Sequence, residues 1–381
     1  MHVAYLSPEY PHPKVTKNAG IGTSIFNLAK ALVQKGEKVS VLVYGQGEDD
    51  HFTDQGIEVH FIKKRTYPFL GWYRYRKYLQ DKVNQLIESQ KVDIVEAPDW
   101  TGITAFMKLK APLVLRLHGS DAYFCALEGR KQKRKNRFFE TQAFKTADAL
   151  SSPSAFTLER TRSLFPFVKE KKASTIRCGL FLEDFKPFSG PSTKGQVLYL
   201  GTLVRKKGAL ELADIFNELI TLIPEAKLRI VGKDAADALT GVASTWDLVK
   251  NRLSEEAYNA TAYHGKVPYE QVKQVIAQAQ VCIFPTKAET FGMVTIEAMA
   301  LGKPVVNSHY GWAQAIIEDG MDGYLADPND AYHFAKIIAT LINDQSLCDE
   351  LGESARKKVV SHFNIHEIVE EHIKFFKAIL S

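Results

Sequence analysis

The segment Val281–Ser308 constrains the fold of this 381-residue chain more than any other segment. It begins with a short apolar run that stops at Pro285, as a buried strand would. A polar loop follows, then a helical pattern that opens at Gly292 and stops at Gly302, and then a second apolar run from Val305. Strand, loop, helix and strand in this order predict a βαβ unit of a parallel sheet. Its loop would lie at the carboxyl edge, where open α/β folds bind ligands.

Two carboxylates mark this unit, Glu289 in the predicted loop and Glu297 on the predicted helix. Between them, the backbone amides of Gly292, Met293 and Val294 open the helix, where unpaired amides can bind an anion. Carboxylates on both sides of an anion site suit a ligand with hydroxyl groups on both sides of its phosphates, such as a nucleotide-sugar. A capping glutamate and a solvated helical glutamate would give the same spacing, and both interpretations stay open at this point.

The composition is that of an ordinary globular protein long enough for two domains. Apolar residues make up 45% and charged residues 24%, and the net charge of +5 is too small to indicate nucleic-acid binding. The four cysteines are scattered without metal-ligand spacing, which is typical of free thiols in a reducing compartment. The chain enters an apolar run directly, and no apolar run approaches membrane-spanning length. We therefore expect a cytoplasmic protein.

The first half of the chain alternates short apolar runs with helical patterns, which predicts a doubly wound parallel sheet. A loop with Gly20 and Gly22 precedes the first helical pattern. Glycines there would let the backbone approach a phosphate or a sugar, although a tight turn would explain them as well. His118 follows the predicted strand 113–117, and a lone histidine at a strand end is most often structural.

The second half begins after the segment Phe185–Gly195, which is rich in proline, glycine and serine and is interpreted as a linker. The next predicted strand ends at Gly201, and Arg205 and Lys207 follow it. Cations at a strand end suit a diphosphate, which arginine binds as a fork and lysine as a point charge. A basic, solvated turn is the alternative.

The stretch E-T-F-G-M-V-T-I-E-A-M-A-L-G-K-P-V-V from Glu289 resembles the E-x7-E signature of retaining glycosyltransferases of family 4. The similarity spans nearly the whole chain and is stronger after Val197. It implies the GT-B fold, an α/β architecture of two doubly wound, Rossmann-like domains facing a cleft. Residues 1–188 would form the acceptor-side domain and residues 189–359 the nucleotide-sugar donor-binding domain. A terminal helix, 360–381, would cross back to the first domain.

The resemblance also implies roles for single residues. Glu289 would orient the hydroxyl groups of the donor sugar, and Glu297 would bind the ribose. His118 would contact the donor sugar. Gly20 and Gly22 would form the acceptor-side loop, in which Ala19 stands where the family usually has a glycine.

Two cations would face the diphosphate of the donor. Lys207 matches the family pattern, whereas the usual arginine position is Thr202 here, so that Arg205 would supply the guanidinium from three residues further on. The resemblance assigns six further residues to the donor site: Phe291, Gly292, Met293, Val294, Val267 and Gly201.

The implied activity is transfer of a hexose from a nucleotide-diphosphate sugar to an acceptor hydroxyl with retention of configuration. A UDP-sugar is favoured and a GDP-sugar is next, and the acceptor is a glycan, a lipid-linked sugar or a small molecule of polysaccharide or glycoconjugate synthesis. The chain has no D-x-D motif, so we predict no metal and no cofactor. A non-catalytic nucleotide-sugar binding protein and a nucleotide-sugar epimerase of similar fold are the alternatives.

The run Arg130–Arg137 contains six basic residues among eight and no acid. It could attract an anionic acceptor or anionic lipid headgroups, which would place the protein peripherally at the inner face of the membrane. The aromatic and basic residues of 72–78 suggest the same surface. A solvated helix face explains both segments equally well. Base-reading motifs are absent, so nucleic acid is disfavoured as a partner.

Overall fold

The computed structural model describes residues 1–15, 20–187 and 192–381. Ala19, the predicted domain boundary at residues 188–189 and the middle of the predicted linker lie outside the described residues. The strands are β1 (His2–Ser7), β2 (Lys38–Gln46), β3 (Asp50–Asp54), β4 (Ile57–Lys63), β5 (Ile94–Pro98), β6 (Leu113–Arg116), β7 (Ala149–Ser152), β8 (Lys172–Thr175), β9 (Gln196–Leu200), β10 (Lys227–Val231), β11 (Thr261–Tyr263), β12 (Val281–Phe284), β13 (Val305–Ser308) and β14 (Tyr324–Ala326).

The helices alternate with these strands along most of the chain. They are α1 (Gly20–Gln34), α2 (Gly71–Gln90), α3 (Asp121–Leu127), α4 (Arg134–Thr146), α5 (Ala155–Leu164), α6 (Ala209–Leu222), α7 (Thr245–Lys250), α8 (Glu255–Asn259), α9 (Tyr269–Gln278), α10 (Met293–Ala300), α11 (Gly311–Gln314), α12 (Ala331–Asn343), α13 (Gln345–His362) and α14 (Ile365–Leu380). None of these helices is long and apolar enough to cross a bilayer.

The chain divides into two compact units, each built around one sheet. The first unit comprises Met1–Phe181 and Ile365–Ser381, and the second comprises Leu182–Asn364. The first therefore contains β1–β8, α1–α5 and the last helix, α14. Each unit is an α/β domain of the Rossmann type, which confirms the predicted fold class.

The sheet of the first unit has the strand order β3-β4-β2-β1-β5-β6-β7-β8. Seven of these strands are parallel, but β3 runs antiparallel to β4 across a turn at Gln55 and Gly56. Both turn residues have positive φ, 51° and 84°. The prediction of a parallel sheet is thus wrong at this edge. The sequence did not indicate β3, because this strand has a single apolar residue, Phe52, and no strand-like apolar run.

Two apolar layers cover this first sheet. On one face, α1 and α14 pack over β1, β2 and β4, with Ile25, Leu32 and Phe376 fully or nearly fully buried. On the other face, α2 contributes Leu79 and Val83 to a second cluster. Both faces of the sheet are therefore covered. Open α/β sheets bind ligands at their carboxyl edge, where the loops after β1, β5 and β6 lie in this unit.

The sheet of the second unit has the order β11-β10-β9-β12-β13-β14, and all of its pairs are parallel. Helices α6 and α12 pack on one face, with Phe216 and Phe334 in the core. The predicted βαβ unit is confirmed as β12, α10 and β13. Its position next to β9 brings the loops after β9 and β12 to the same edge.

Helix α10 is held from behind by a close backbone contact. It ends before Gly302, which has a φ of +70°, and α13 crosses this point at Gly352. A Cβ atom at Gly352 would lie 2.1 Å from the carbonyl oxygen of Gly302, a distance that no side chain tolerates. The two helices can therefore approach this closely only with glycine at residue 352.

We predict that Gly352→Ala destabilises the protein by about 1–3 kcal/mol, because the new methyl group must push α13 away from α10. In an open helix the same substitution stabilises by about 1 kcal/mol. Gly71→Ala is the matched control, since the nearest atom to its Cβ would be 4.0 Å away. Thermal and urea unfolding of the full chain measure both variants. An unchanged or higher stability of Gly352→Ala would contradict the close contact.

Candidate functional site

An ion pair between Lys207 and Glu289 lies at the carboxyl edge of the second sheet. The exposed fractions of the two side chains are 25% and 17%. Burial raises the pKa of Glu289, but the charge and hydrogen bond of Lys207 and the amide of Thr290 outweigh burial, so that this pKa lies below its usual value. The structure therefore holds Glu289 as a carboxylate against a fixed cation.

Two backbone contacts hold the loops that carry this ion pair. The amide of Lys287 donates to the carbonyl oxygen of Lys206, 2.9 Å away. Gly208 has a φ of +71°, and a Cβ atom there would lie 1.9 Å from the carbonyl oxygen of Pro285. The loops after β9 and β12 are thus one packed block, and Lys207 faces Glu289 because the backbones are this close.

Arg205 makes a two-pronged contact with Asp237, which the sequence analysis did not identify. Its Nε and Nη2 atoms donate to the two carboxylate oxygens at 2.7 and 2.9 Å. Thr240 also donates to Asp237, from its backbone amide at 3.0 Å. The hydrogen bond from Arg205 holds the pKa of Asp237 well below its usual range. Two of the donor groups of Arg205 are therefore engaged within the protein, and its predicted contact with a diphosphate stays a prediction.

Glu297 lies in a different environment on α10. Its side chain is 4% exposed, and the hydroxyl group of Tyr269 donates to its Oε1 at 2.9 Å. Burial raises the pKa of Glu297 to about 7, against the smaller, opposite effects of Tyr269 and Lys273. Tyr269 was missed because it lies 28 residues earlier in the chain, and no local pattern links the two residues.

The start of α10 is fixed by Gly292 and its neighbours. Gly292 has a φ of +94°, and a Cβ atom there would lie 2.8 Å from the ring of Trp312. Phe291 is buried, with its ring centroid 5.7 Å from that of Phe363. Met293 and Val294 are half-buried. These contacts fix the position of the amino end of α10, which begins a few residues after Glu289 in the sequence.

The remaining predicted donor residues lie in neighbouring loops at the same edge. The amide of Gly201 donates to Val231 at 2.9 Å, and a Cβ atom at Gly232 would lie 1.9 Å from the carbonyl oxygen of Gly201. The amide of Gly232 donates in turn to Gly265 at 2.8 Å. Val267 is half-buried in the loop between β11 and α9. The second unit thus gathers its predicted donor residues on the loops at one edge of its sheet and on the helix that follows β12.

His118 belongs to the first unit, where it follows β6. Its backbone amide donates to Asp99 at 2.9 Å, and burial raises the pKa of Asp99 well above its usual range. The half-buried His118 lines a cavity together with Arg116 and Cys178. With a volume of about 10 Å³, this cavity has room for about one water molecule.

The described part of the predicted acceptor-side loop shows different roles for its two glycines. The amide of Gly22 donates to the carboxylate of Glu9 at 3.1 Å, and a Cβ atom at Gly22 would lie 3.1 Å from the amide of Tyr10. Among the residues that the structure describes, no atom lies within 4 Å of a Cβ placed at Gly20. Gly22 therefore packs closely against the loop after β1, whereas Gly20 has no such close contact among the described residues.

The basic run Arg130–Arg137 is partly engaged with the protein. Arg130 pairs with Asp121 at 3.3 Å and with Glu128, and Arg137 donates to the carbonyl oxygen of Leu164. The other four basic side chains of the run are exposed: Lys131, Lys133, Arg134 and Lys135.

The pKa values of the two glutamates predict opposite effects of removing their charges. The lowered pKa of Glu289 means that its charge stabilises the fold above its unfolded pKa and that this stability is lost as the pH falls. The raised pKa of Glu297 means that ionisation destabilises the fold as the pH rises through about 7. Glu289→Gln should therefore unfold at a lower temperature than the wild type at pH 7.5, because it leaves Lys207 unpaired.

Glu297→Gln should become more stable than the wild type between pH 6 and 8.5, by at most roughly 3 kcal/mol. Glutamine keeps an acceptor for Tyr269 but cannot ionise. Thermal unfolding midpoints of the wild type and both variants across pH 5–8.5 measure these differences. If Glu297→Gln gains no stability relative to the wild type at high pH, the buried position of Glu297 is wrong.

Comparison with known proteins gives a consistent result for both units. Residues 18–184 match the family model of Glycosyltransferase Family 4, and residues 182–358 match that of Glycosyl transferases group 1. An uncharacterized glycosyltransferase of Methanocaldococcus jannaschii is 25% identical over 92% of each chain. A glycogen synthase of Mycobacterium tuberculosis is 24% identical over 96% of this chain and 91% of the relative.

A solved structure shares the fold over the whole length. The crystal structure of Anabaena HepE in complex with UDP and glucose has a TM-score of 0.74 at 19% identity, and the match covers 99% of each chain. The two family models together span residues 18–358, and their junction at residues 182–184 coincides with the start of the second unit. The protein is therefore a glycosyltransferase of the GT-B fold.

Proposed function

We propose that this glycosyltransferase moves a hexose from a nucleotide-diphosphate sugar to an acceptor hydroxyl and retains the configuration of the transferred sugar. The observation that carries the proposal is the ion pair of Lys207 and Glu289 beside the amino end of α10. These groups suit a sugar diphosphate. A fixed cation and a helix amino end bind the phosphates, and a fixed carboxylate binds sugar hydroxyls.

Catalysis at such a site consists mainly of charge stabilisation. As the bond between the sugar and the phosphate breaks, negative charge gathers on the leaving diphosphate. Lys207 and the amides that begin with Gly292 are held in place before the reaction, so they stabilise this charge without reorganisation. The acceptor hydroxyl attacks from the face that the diphosphate leaves, and the leaving phosphate accepts its proton.

Glu289 serves to orient the sugar rather than to attack it. Its carboxylate is already bound to Lys207 and to the amide of Thr290, and a paired carboxylate is a weak nucleophile. A retaining glycosidase instead places two carboxyl groups about 5–5.5 Å apart across the bond that breaks. Within the second unit, Glu297 is buried against Tyr269, where it suits a hydroxyl pair such as that of a ribose.

The proposed donor is a UDP-sugar, with a GDP-sugar as the second choice. The complex of Anabaena HepE with UDP and glucose supports uridine, since that protein shares the fold over 99% of this chain. We propose that no metal takes part in transfer, because Lys207 and the amides at the start of α10 can stabilise the phosphate charge that a metal would otherwise neutralise. The acceptor belongs to polysaccharide or glycoconjugate synthesis in the cytoplasm.

Release of free nucleoside diphosphate from a panel of nucleotide-sugars tests the proposal. We expect release from one donor in the presence of a chelator, and a fall of about 100-fold or more in Glu289→Gln and in Lys207→Gln, the scale of losing one preorganised contact to the developing charge. Glu353→Gln, an exposed glutamate on α13, is the control and should keep full activity.

Three results would contradict this function. Tight donor binding without release, with and without candidate acceptors, would indicate a binding protein. Conversion of the donor to another nucleotide-sugar without an acceptor would indicate an epimerase. Loss of release on chelation and its recovery with Mn²⁺ would refute the metal-independent mechanism.

We also propose that the first unit contacts an anionic membrane surface. The rings of Trp72 and Tyr73 are 37% and 36% exposed and lie beside Phe106, which in turn contacts the 48% exposed Phe138. The exposed lysines of the basic run precede Phe138 by a few residues on α4 and the loop before it. Arg76 takes no part in this surface, because it is buried and donates to Trp72 and Gly102.

Vesicle binding tests this surface. We expect the wild type to bind vesicles with anionic lipid and not neutral vesicles, with weaker binding at high salt. Replacing Lys131 and Lys133 by glutamine should weaken binding by about 2 kcal/mol, roughly 30-fold. Lys374→Gln, exposed on α14 of the same unit, is the control. Equal binding to neutral vesicles, or full binding by the double variant, would contradict the proposal.

A further inference from the structure

We propose that the antiparallel edge of the first sheet carries a transition-metal site formed by His51, Glu58 and His60. His51 on β3 lies directly opposite His60 on β4, and Glu58 precedes His60 by two residues, so all three side chains point to one face. One ligand atom from each residue lies within 4.8 Å of the other two. Among the described residues, no other group of three or more histidine, cysteine, aspartate and glutamate side chains brings its ligand atoms this close together.

The two imidazole rings are close neighbours but stack, so one of them must rotate before a nitrogen of each reaches the same ion. Their centroids are 4.4 Å apart, with planes inclined by 28°. The Nε2 atom of His60 is buried and makes no hydrogen bond within the described part of the chain, and the carboxylate of Glu58 is 3.7 Å away, too far for a hydrogen bond. Buried polar atoms almost always have a partner. A metal ion between these groups would supply that partner.

A chain of hydrogen bonds orients the carboxylate. The amide group of Gln90 donates to Glu58 Oε2 at 2.6 Å, and Ser40 donates to Gln90 Oε1 at 3.1 Å. His2 Nε2 lies 2.9 Å from the hydroxyl of Ser40. Partners of this kind, which fix the ligands of a metal from behind, are typical of metal sites in proteins.

The site opens into a groove of about 480 Å³ between the edge of the sheet and α2. His51 and His60 line this groove together with Asp49 and Asp50. The groove leaves room for water molecules that complete the coordination. Three protein ligands and an open position form a common arrangement around zinc.

The ligand types indicate Zn²⁺ or Co²⁺. Two imidazole nitrogens and one carboxylate oxygen suit these ions, whereas Mg²⁺ and Ca²⁺ prefer oxygen ligands alone. Bonds of about 2.0–2.2 Å require the ligand atoms to move closer together than they are here. His51 is exposed and the Glu58 side chain is 43% exposed, so both can turn toward the ion.

The position separates this site from the proposed transfer chemistry. Strand β4 is four strand positions from β6, the strand that precedes His118, and interstrand spacings of about 4.8 Å place the two strands roughly 19 Å apart. An ion here would join β3 to β4 and to the end of α2. We therefore assign it a structural role at the edge of the sheet, independent of the proposed sugar transfer.

Metal titration of the full chain, first freed of metal with a chelator, tests the site. We expect one equivalent of Zn²⁺ to bind in calorimetry and to raise the unfolding temperature. Co²⁺ should give the visible bands of a low-coordinate ion without the charge-transfer bands of thiolate ligands, since the four cysteines lie elsewhere and are buried.

Variants locate the ion. His51→Gln and Glu58→Gln should each weaken binding by about 100-fold or more, and Gln90→Leu by about 10- to 100-fold. Because His51 and Glu58 lie on the solvent side of the edge, these substitutions leave the core intact, which circular dichroism checks. His333→Gln, an exposed histidine on α12, is the control and should bind as the wild type does.

Three outcomes would overturn the site. They are the absence of stoichiometric Zn²⁺ or Co²⁺ binding by the wild type, wild-type affinity in His51→Gln, and a Co²⁺ spectrum with thiolate bands, which would place the ion on cysteines. None of these outcomes depends on whether the chain transfers a sugar, so the site and the proposed function fail separately.

Discussion

The contact between Gly208 and the carbonyl oxygen of Pro285 is the constraint on which the geometry of the proposed donor site depends. It brings the loops after β9 and β12 together more closely than any residue with a side chain permits. The consequence is an ion pair of Lys207 and Glu289 that is largely withdrawn from water. Replacing such a pair as a whole by apolar residues changes stability little, because the loss of hydration offsets the attraction between the charges, whereas removing one partner leaves the other charge unpaired. In the proposed function, the pair holds both groups in place for a charged ligand.

Glu289 and Glu297 show how environment gives one residue type two opposite pKa shifts. Glu289 shares its pocket with a lysine and stays ionised. Glu297, eight residues later on the first turns of α10, meets a tyrosine hydroxyl in a buried site, and its pKa rises to about 7. In the proposed function, a sugar hydroxyl donates to the first, and a ribose hydroxyl exchanges hydrogen bonds with the second. The sequence spacing alone does not distinguish the two glutamates, because their different pKa values come from the residues that surround them in the fold.

The sequence predicted the features whose signals are local. The βαβ unit was readable because Pro285 ends its strand and Gly302 ends its helix. The partners of the site residues were not readable, since Asp237 reaches Arg205 and Tyr269 reaches Glu297 across 32 and 28 residues. These pairs arise where separate loops meet at the sheet edge, and no periodicity in either loop records that meeting.

The strand that the sequence analysis missed is also the strand that carries the proposed metal site, and one cause underlies both. An edge strand avoids pairing with other chains by carrying polar and charged side chains, which removes the apolar pattern by which strands are recognised. Aspartates such as Asp50 and Asp54 would meet that need alone. Opposed histidines beside a carboxylate oriented by Gln90 go beyond it, because the buried Nε2 atom of His60 has no hydrogen bond within the described residues. A bound ion accounts for this arrangement and, by joining β3 to β4, also protects the edge.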